Sequence, residues 1–231
     1  MSTSVRKHFD SQLRELNERM LKMASETENS IKVTIKALTN KDTSQLDSVV
    51  QSDALIDKLE RQIEGKCLKL LLQQQPVAKD LRTISSALKI ITDLERIADQ
   101  SVDIGEIILK LPFDEEFNSD IKLNEIVYTI QLMANSAVRM VEESIVAYTE
   151  NDVEKADMII DADDCIDDYF VQIRDEIIKY IVTNNKQSLS ELCVDLLTIT
   201  KYLEKIGDHA VNIAEWVKFD VTGIHKNEKI I

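Results

Sequence analysis

The sequence predicts an all-α protein, and three observations carry that prediction. Four glycines and two prolines interrupt 231 residues, so few positions favour a break in a regular element. No run of β-branched residues shows the strict alternation of a half-buried strand. Apolar side chains instead recur at steps of three and four, which places them on one face of a helix. We therefore expect long amphipathic helices along the whole chain.

The first and last helices are the most clearly marked. Near the start, an apolar stripe runs through Phe9, Leu13, Leu16, Met20 and Met23. Such a stripe is typical of a helix that faces a core. The last long segment carries a longer stripe of the same spacing, formed by Leu192, Leu196, Ile199, Leu203, Ile206, Ala210, Ile213 and Val217.

Turn-forming segments divide the chain between these two helices. They lie at residues 39–44, 73–80, 111–120, 149–154 and 183–191. Pro76 and Pro112 end the helices before them, and Ser188 with Glu191 has the spacing of a capping box. The result is six long helices of about 30 residues, each about 45 Å long. Short links make neighbouring helices antiparallel.

An internal repeat groups these helices into two halves. Residues 202–215 match residues 93–106 at seven of fourteen positions with an offset of 109, and residues 162–169 match 52–59 with an offset of 110. The repeat predicts two three-helix bundles, at residues 1–115 and 116–231. A single continuous six-helix bundle is the alternative architecture.

Composition excludes several classes of function. The formal net charge of −14 disfavours nucleic-acid binding, because phosphate backbones repel an acidic surface. No segment approaches the roughly 20 apolar residues of a membrane span, and the first residues do not form a secretory signal. The three cysteines show no CxxC spacing, which argues against disulfides and zinc ribbons and favours the cytoplasm. We expect these cysteines to be small buried hydrophobic residues.

The repeat conserves carboxylates at matched positions. Glu95 and Asp99 lie four residues apart on one helix face, as do Glu204 and Asp208. In each half, the second and third helices form an antiparallel hairpin, so residues equidistant from the turn lie at the same level. This register brings further acids to the motif residues of each half, namely Asp53 and Asp57 in the first, and Asp163 and Asp167 in the second.

Four ionised carboxylates at one level repel one another unless they are protonated or bridged by cations. Oxygen ligands favour Mg²⁺, Mn²⁺, Ca²⁺ or ferric iron over zinc. A solvated acidic face without metal is the alternative interpretation. His209 follows Asp208 in sequence and points away from it, which indicates a residue beside the metal ligands instead of a ligand.

These motifs resemble the PhoU family of phosphate-transport regulators. The resemblance covers the whole chain and rests on LEKIGDHAVNIAE, LERIAD, the acidic stretches at 53–57 and 163–167, and PVAKDLR at 76–82. It implies two three-helix bundles, multinuclear iron or zinc clusters, frequent dimerisation and no catalytic turnover. The ligands that it implies are Glu95, Asp99, Glu204 and Asp208.

The resemblance also implies a regulatory role in the cytoplasm. Family members signal through the phosphate ABC transporter, whose ATPase subunit is the expected partner, and through the membrane sensor kinase PhoR. They restrain phosphate uptake and keep scavenging genes off when phosphate is plentiful. A protein of this kind would reach the membrane only through its partners.

Two other functions are compatible with a carboxylate-bearing bundle. One is a ferritin-like di-metal oxidase or metal store. That fold uses Glu-x-x-His ligands, and none of His8, His209 and His225 has a glutamate three residues earlier. The other is a metal-free helical scaffold whose acidic faces keep it in solution. No nucleophile–base arrangement or glycine-rich phosphate loop indicates an enzyme.

Overall fold

A computed structural model describes residues 3–74, 76–184, 186–226 and 228–229. Within these residues the chain is almost entirely helical. Its elements in order are α1 (Thr3–Asn40), α2 (Leu46–Gln74), α3 (Ala78–Ile108), α4 (Glu115–Ser119), α5 (Ile121–Glu150), α6 (Val153–Asn184), α7 (Gln187–Thr222), β1 (Ile224–His225) and β2 (Glu228–Lys229).

The prediction of an all-α protein with six long helices is confirmed, and the turns fall in the predicted segments. Gln75 and Asn185, which belong to two of those turns, lie outside the described residues. The predicted capping box at Ser188 is wrong. Helix α7 begins after Lys186 without a side-chain cap, and Glu191 accepts a hydrogen bond from the Gln187 amide instead.

The first three helices form one bundle. Helices α1 and α3 run parallel. The evidence is that the hydroxyls of Thr27 and Thr34 of α1 donate to the carbonyl oxygens of Leu94 and Ser101, and both pairs are 67 residues apart. Helix α2 packs against both of them. It runs antiparallel to α1, and the Arg19 guanidinium donates a hydrogen bond of 3.2 Å to Gln62.

Helices α5, α6 and α7 repeat this bundle, so the predicted architecture of two three-helix bundles is confirmed. The repeat extends to the backbone of the turns. Lys41 after α1 and Asn151 after α5 are 110 residues apart, and both adopt the left-handed conformation with φ of 55°. The division of the chain into units at residues 115 and 116 stays a prediction.

The two bundles pack directly against each other. Helix α3 lies antiparallel along α7, since Ser86 bonds the carbonyl of Trp216 while His209 reaches back to Asp93. On the other side, the Tyr148 hydroxyl of α5 donates a hydrogen bond of 2.8 Å to Asn17 of α1. Buried side chains from all six long helices form one continuous hydrophobic core. The halves are therefore two repeats of one packed body.

Within the described part of the chain, no helix combines the length and the apolar character that a membrane span requires. The expectation for the cysteines is partly wrong. Cys67 and Cys193 are buried, but Cys165 is exposed because it lies on the outer face of α6, away from the seam that contains Ile166.

Candidate functional site

The first acidic face lies between α2 and α3, as the hairpin register predicts. Asp53 and Asp57 of α2 stand near Glu95 and Asp99 of α3, and all four side chains are half-buried. Partial burial raises the pKa of Asp53, and repulsion from Asp99 adds to the shift. Burial and the Asp99 charge likewise raise the pKa of Glu95. The structure thus brings these acids within electrostatic reach of one another.

Cations lie among these carboxylates. Arg96 of α3 forms ion pairs of 3.5 Å with both Glu95 and Asp99. On α2, Arg61 lies 3.3 Å from Asp57. Partial burial raises the pKa of Asp99, although Arg96 opposes that shift. A metal ion bound here would therefore compete with Arg96 for the motif carboxylates.

The second acidic face lies between α6 and α7. Partial burial, together with repulsion from Asp208, Asp167, Asp164 and Glu204, raises the pKa of Asp163 to about 6. Asp163 therefore meets both motif carboxylates across the hairpin. Asp167 contributes to the field at Asp163, but its side chain is exposed to solvent.

Close helix packing brings Asp163 toward α7. A Cβ atom placed on Gly207 would lie 3.5 Å from Asp163 Oδ1 and 3.3 Å from Ile166 Cγ2. The absence of a side chain at Gly207 thus lets α6 approach α7 closely. The first half has Ala98 at the matched position. The largest pKa shift among the acids of the two faces accordingly falls on the second face, at Asp163.

Lysines accompany the motif of the second face. Lys201 forms an ion pair with Glu204, and Lys205 forms one with Asp208. Lys205 and Arg96 occupy matched positions of the repeat at the offset of 109. Each motif therefore places a basic residue directly after its glutamate and pairs it with the aspartate. The sequence prediction considered the acids alone and missed these cations.

The sequence prediction also missed an additional acid, Glu60, and a contact between the bundles made by His209. Glu60, three residues after Asp57, lies on the first face, where burial and neighbouring carboxylates raise its pKa. His209 lies 2.8 Å from Asp93 across the α3–α7 interface, and Asn212 donates to the same carboxylate at 3.4 Å. His209 thus joins the two bundles, and its expected place at the bundle surface or beside the metal ligands stays a prediction.

The donor chemistry of both faces fits a hard cation, because carboxylate oxygens predominate, and burial together with mutual repulsion raises several of their pKa values. The geometry is less complete. Among the described residues, no group of three or more His, Cys, Asp or Glu side chains is arranged to hold a metal ion. Binding would require the carboxylates to turn away from their lysine and arginine partners.

The two repeated three-helix bundles, each with a carboxylate face, define a class of duplicated helical proteins. A family model described as the PhoU domain matches residues 20–108 and matches again over residues 130–217. These two matches cover most of the chain, and they coincide with the two bundles. The chain belongs to the PhoU family.

Bacterial relatives align over nearly their full length. A protein of Clostridium acetobutylicum, named phosphate-specific transport system accessory protein PhoU homolog, is 36% identical over 220 residues, covering 95% of this chain and 96% of the relative. The Thermotoga maritima protein named homolog 1 of the same accessory protein is 32% identical over 222 residues, covering 96% of this chain and 92% of the relative.

Two crystal structures share the fold. The PhoU structure from Pseudomonas aeruginosa superimposes with a TM-score of 0.84 at 27% identity, covering 93% of this chain and 99% of that one. The phosphate transport system regulatory protein PhoU from Streptococcus pneumoniae gives a TM-score of 0.82 at 25% identity, covering 96% of this chain and 99% of that one.

Proposed function

We propose that this chain is an accessory protein of a phosphate-specific transport system. The support is the family membership together with relatives of that name that align from end to end. The structure adds a physical reason for an adaptor instead of an enzyme. Its distinctive groups are carboxylates paired with cations on two helical faces, which offer binding surfaces for partners or metal ions.

The proposal extends to partners and direction of action. The chain would act in the cytoplasm as a negative regulator, contacting the ATPase subunit of the phosphate ABC transporter and a PhoR-type sensor kinase. It would form a homodimer and reach the membrane through these partners alone. Phosphate sensing would be indirect, because the proposed role requires no bound phosphate.

Metal ions are the proposed ligands of the two acidic faces. Glu95 and Asp99 would hold metal on the first face, while Glu204 and Asp208 would do so on the second. The α2 and α6 aspartates would complete each set. Multinuclear iron or zinc is what the family resemblance implies, and Mg²⁺, Mn²⁺ or Ca²⁺ also suits oxygen donors. Burial and repulsion from neighbouring acids raise the pKa of Asp163, and bound cations would offset that repulsion.

The proposal can be tested in phosphate-replete cells that lack this chain. Phosphate uptake and alkaline phosphatase output would be measured after complementation with the wild type or with a variant in which Glu95, Asp99, Glu204 and Asp208 are all changed to Ala. We expect unrestrained output in the deletion, rescue by the wild type and failure of a stably folded variant.

A charge-matched control isolates the motif. It changes four exposed acids to Ala, namely Glu18, Glu154, Asp161 and Glu191. This control should rescue fully, because these side chains lie outside the two faces. Normal output in the deletion would contradict the regulatory role. Full rescue by the motif variant would leave the accessory role intact and exclude its carboxylate mechanism.

A metal-free scaffold is the second candidate, and the ion pairs favour it. Arg96, Lys201 and Lys205 already neutralise part of each acidic face. Metal analysis of the purified protein separates the two candidates. Stoichiometric metal that is lost in the motif variant supports the metal-binding adaptor. Metal-free protein that nevertheless restores regulation supports the scaffold.

A further inference from the structure

A groove between α1 and α2 gathers positive charge on an acidic protein. It has a volume of about 510 Å³, within the range of about 300–1,000 Å³ that is typical of small-molecule sites. Four cations line it against one carboxylate, Glu15. The net charge of the whole chain is −14. The cations of the groove are Arg19, Arg61, Lys66 and Lys69.

The single carboxylate neutralises only part of this charge. Glu15 accepts two hydrogen bonds from Arg19, at 3.2 and 2.9 Å, and forms an ion pair of 2.5 Å with Lys66. Arg61 is 67% exposed at its side chain and forms one ion pair of 3.3 Å, with Asp57 of the first acidic face. Lys69 is exposed, and no ion pair holds it within the described residues. Arg61 and Lys69 therefore keep donors available for a ligand.

A glycine, Gly65, lies in the lining of the groove. A Cβ atom on Gly65 would have nothing within 4 Å, so the space beside it is empty. Glycine in a helix interior is less favourable than alanine, and packing gives no reason for that cost here. The need to leave space for a ligand would explain why a glycine stands at this position.

The second half contains the same groove without the charge. At an offset of 110, the groove between α5 and α6 has a volume of about 380 Å³. Two lysines, Lys122 and Lys179, face two glutamates, Glu125 and Glu176, in its lining. The cations are therefore not required by the fold. The residues that replace Arg19, Arg61, Gly65 and Lys66 are Thr129, Val171, Asp175 and Glu176.

We propose that the α1–α2 groove binds a small anion carrying two or more phosphoryl groups. Arginine forks and lysine ammonium groups both suit phosphoryl oxygens. Their spread along the groove, from Arg19 to Lys69, matches several charged groups better than one. A polyphosphate chain and a nucleoside triphosphate share this chemistry. The groove adjoins the first acidic face through the ion pair of Arg61 with Asp57. Binding of a phosphate chain in the absence of metal can nevertheless be tested independently of the proposed function.

Calorimetric titration of the full chain tests the site. Tripolyphosphate, ATP and orthophosphate would be titrated at pH 7.5 and low salt, after treatment with a chelator and without added metal. We expect tripolyphosphate to bind at least tenfold more tightly than orthophosphate, with an affinity that falls as salt rises. If ATP binds more tightly than tripolyphosphate, the ligand is a nucleotide. If the two bind equally, the groove recognises the phosphate chain alone.

Variants that copy the second half locate the binding. R61V with K66E introduces the residues found at the matched positions of the second half, Val171 and Glu176, and should weaken tripolyphosphate binding at least tenfold. If the Glu15–Lys66 pair proves necessary for folding, R61V with K69Q changes two exposed residues and should show the same loss. R139V with K122E removes the same charge as R61V with K66E, from exposed, ion-paired positions elsewhere. This control should bind within twofold of the wild type.

Three results would overturn the proposal. The wild type could fail to bind tripolyphosphate. Orthophosphate could bind as tightly as tripolyphosphate, which would exclude a ligand with several phosphoryl groups. The control variant could lose as much affinity as R61V with K66E, which would show that overall charge, and not this groove, attracts the anion.

Discussion

Asp163 is the carboxylate whose removal should tell most about the second acidic face. Burial and four neighbouring acids raise its pKa from an ordinary 3.8 to about 6. At pH 7 the ionised form therefore destabilises the metal-free fold. Asp163→Asn keeps the shape of the side chain and removes the charge, so we expect the variant to be more stable than the wild type.

The magnitude follows from the pKa difference. A change from 3.8 to about 6 corresponds to about 3 kcal/mol, since each pH unit is worth about 1.4 kcal/mol. The side chain of Asp163 keeps contact with solvent, and screening reduces the expected gain to about 1 kcal/mol. For a chain of this size, that gain raises the melting temperature by about 2–4 °C.

The pH dependence has a definite sign. The penalty of the ionised carboxylate is fully present above the folded pKa of about 6 and disappears as the pH falls toward the ordinary value. The advantage of Asp163→Asn over the wild type should therefore be largest near pH 7–8 and absent near pH 4. Titratable groups that both proteins share contribute equally to their stabilities, so their pH dependence cancels in the difference.

Thermal and urea unfolding, followed by helical circular dichroism in chelator at low salt, would measure this difference. Asp53→Asn is the matched control in the first half and should give a smaller gain, because fewer acids surround Asp53. Asp161→Asn, an exposed position on the same helix, should give none. A variant no more stable than the wild type at pH 7, or a gain independent of pH, would refute the argument from charge repulsion.

Two further predictions concern packing and capping. Asp120→Ala should destabilise the protein by about 1–2 kcal/mol in urea unfolding, because it removes the N-cap of α5 and the 2.6 Å hydrogen bond from the Tyr180 hydroxyl; an unchanged midpoint would contradict it. Gly207→Ala should lack the gain of about 1 kcal/mol that helix propensity alone predicts, because its Cβ would lie 3.3 Å from Ile166. Gly65→Ala, with nothing within 4 Å, should show the full gain, and equal effects of the two changes would refute the packing argument.

Periodicity explains why the long helices could be predicted. A helix of some 30 residues repeats its apolar stripe many times, so the stripe through Leu192 and Val217 marks α7 unambiguously. Helix α4 has five residues and each strand has two, too few for any period to appear. The contact of α3 with α7 could not be predicted either, because an apolar stripe shows which face of a helix is buried and not which helix covers it.

The candidate site was predictable to the level of the carboxylates. Antiparallel hairpin geometry fixed which acids meet, and the field of Asp208 at Asp163 agrees with that register. The pairing of Arg96 with Asp99 depends on side-chain conformation, which spacing alone does not specify. The basic residue nevertheless recurs at Lys205, so the repeat contained a signal for the cations as well as for the acids.

The two halves share a backbone and differ mainly in charge, and this difference has a physical consequence. The helix packing does not require Lys66 in one groove and Glu176 in the other, whereas Gly207 lies where α6 packs closely on α7, and the first half has Ala98 at the matched position. The difference in charge between Lys66 and Glu176 alters the ions that each groove attracts and leaves the hydrophobic core unchanged. A duplicated fold can in this way present a cationic groove on one repeat and its more strongly perturbed acidic face on the other.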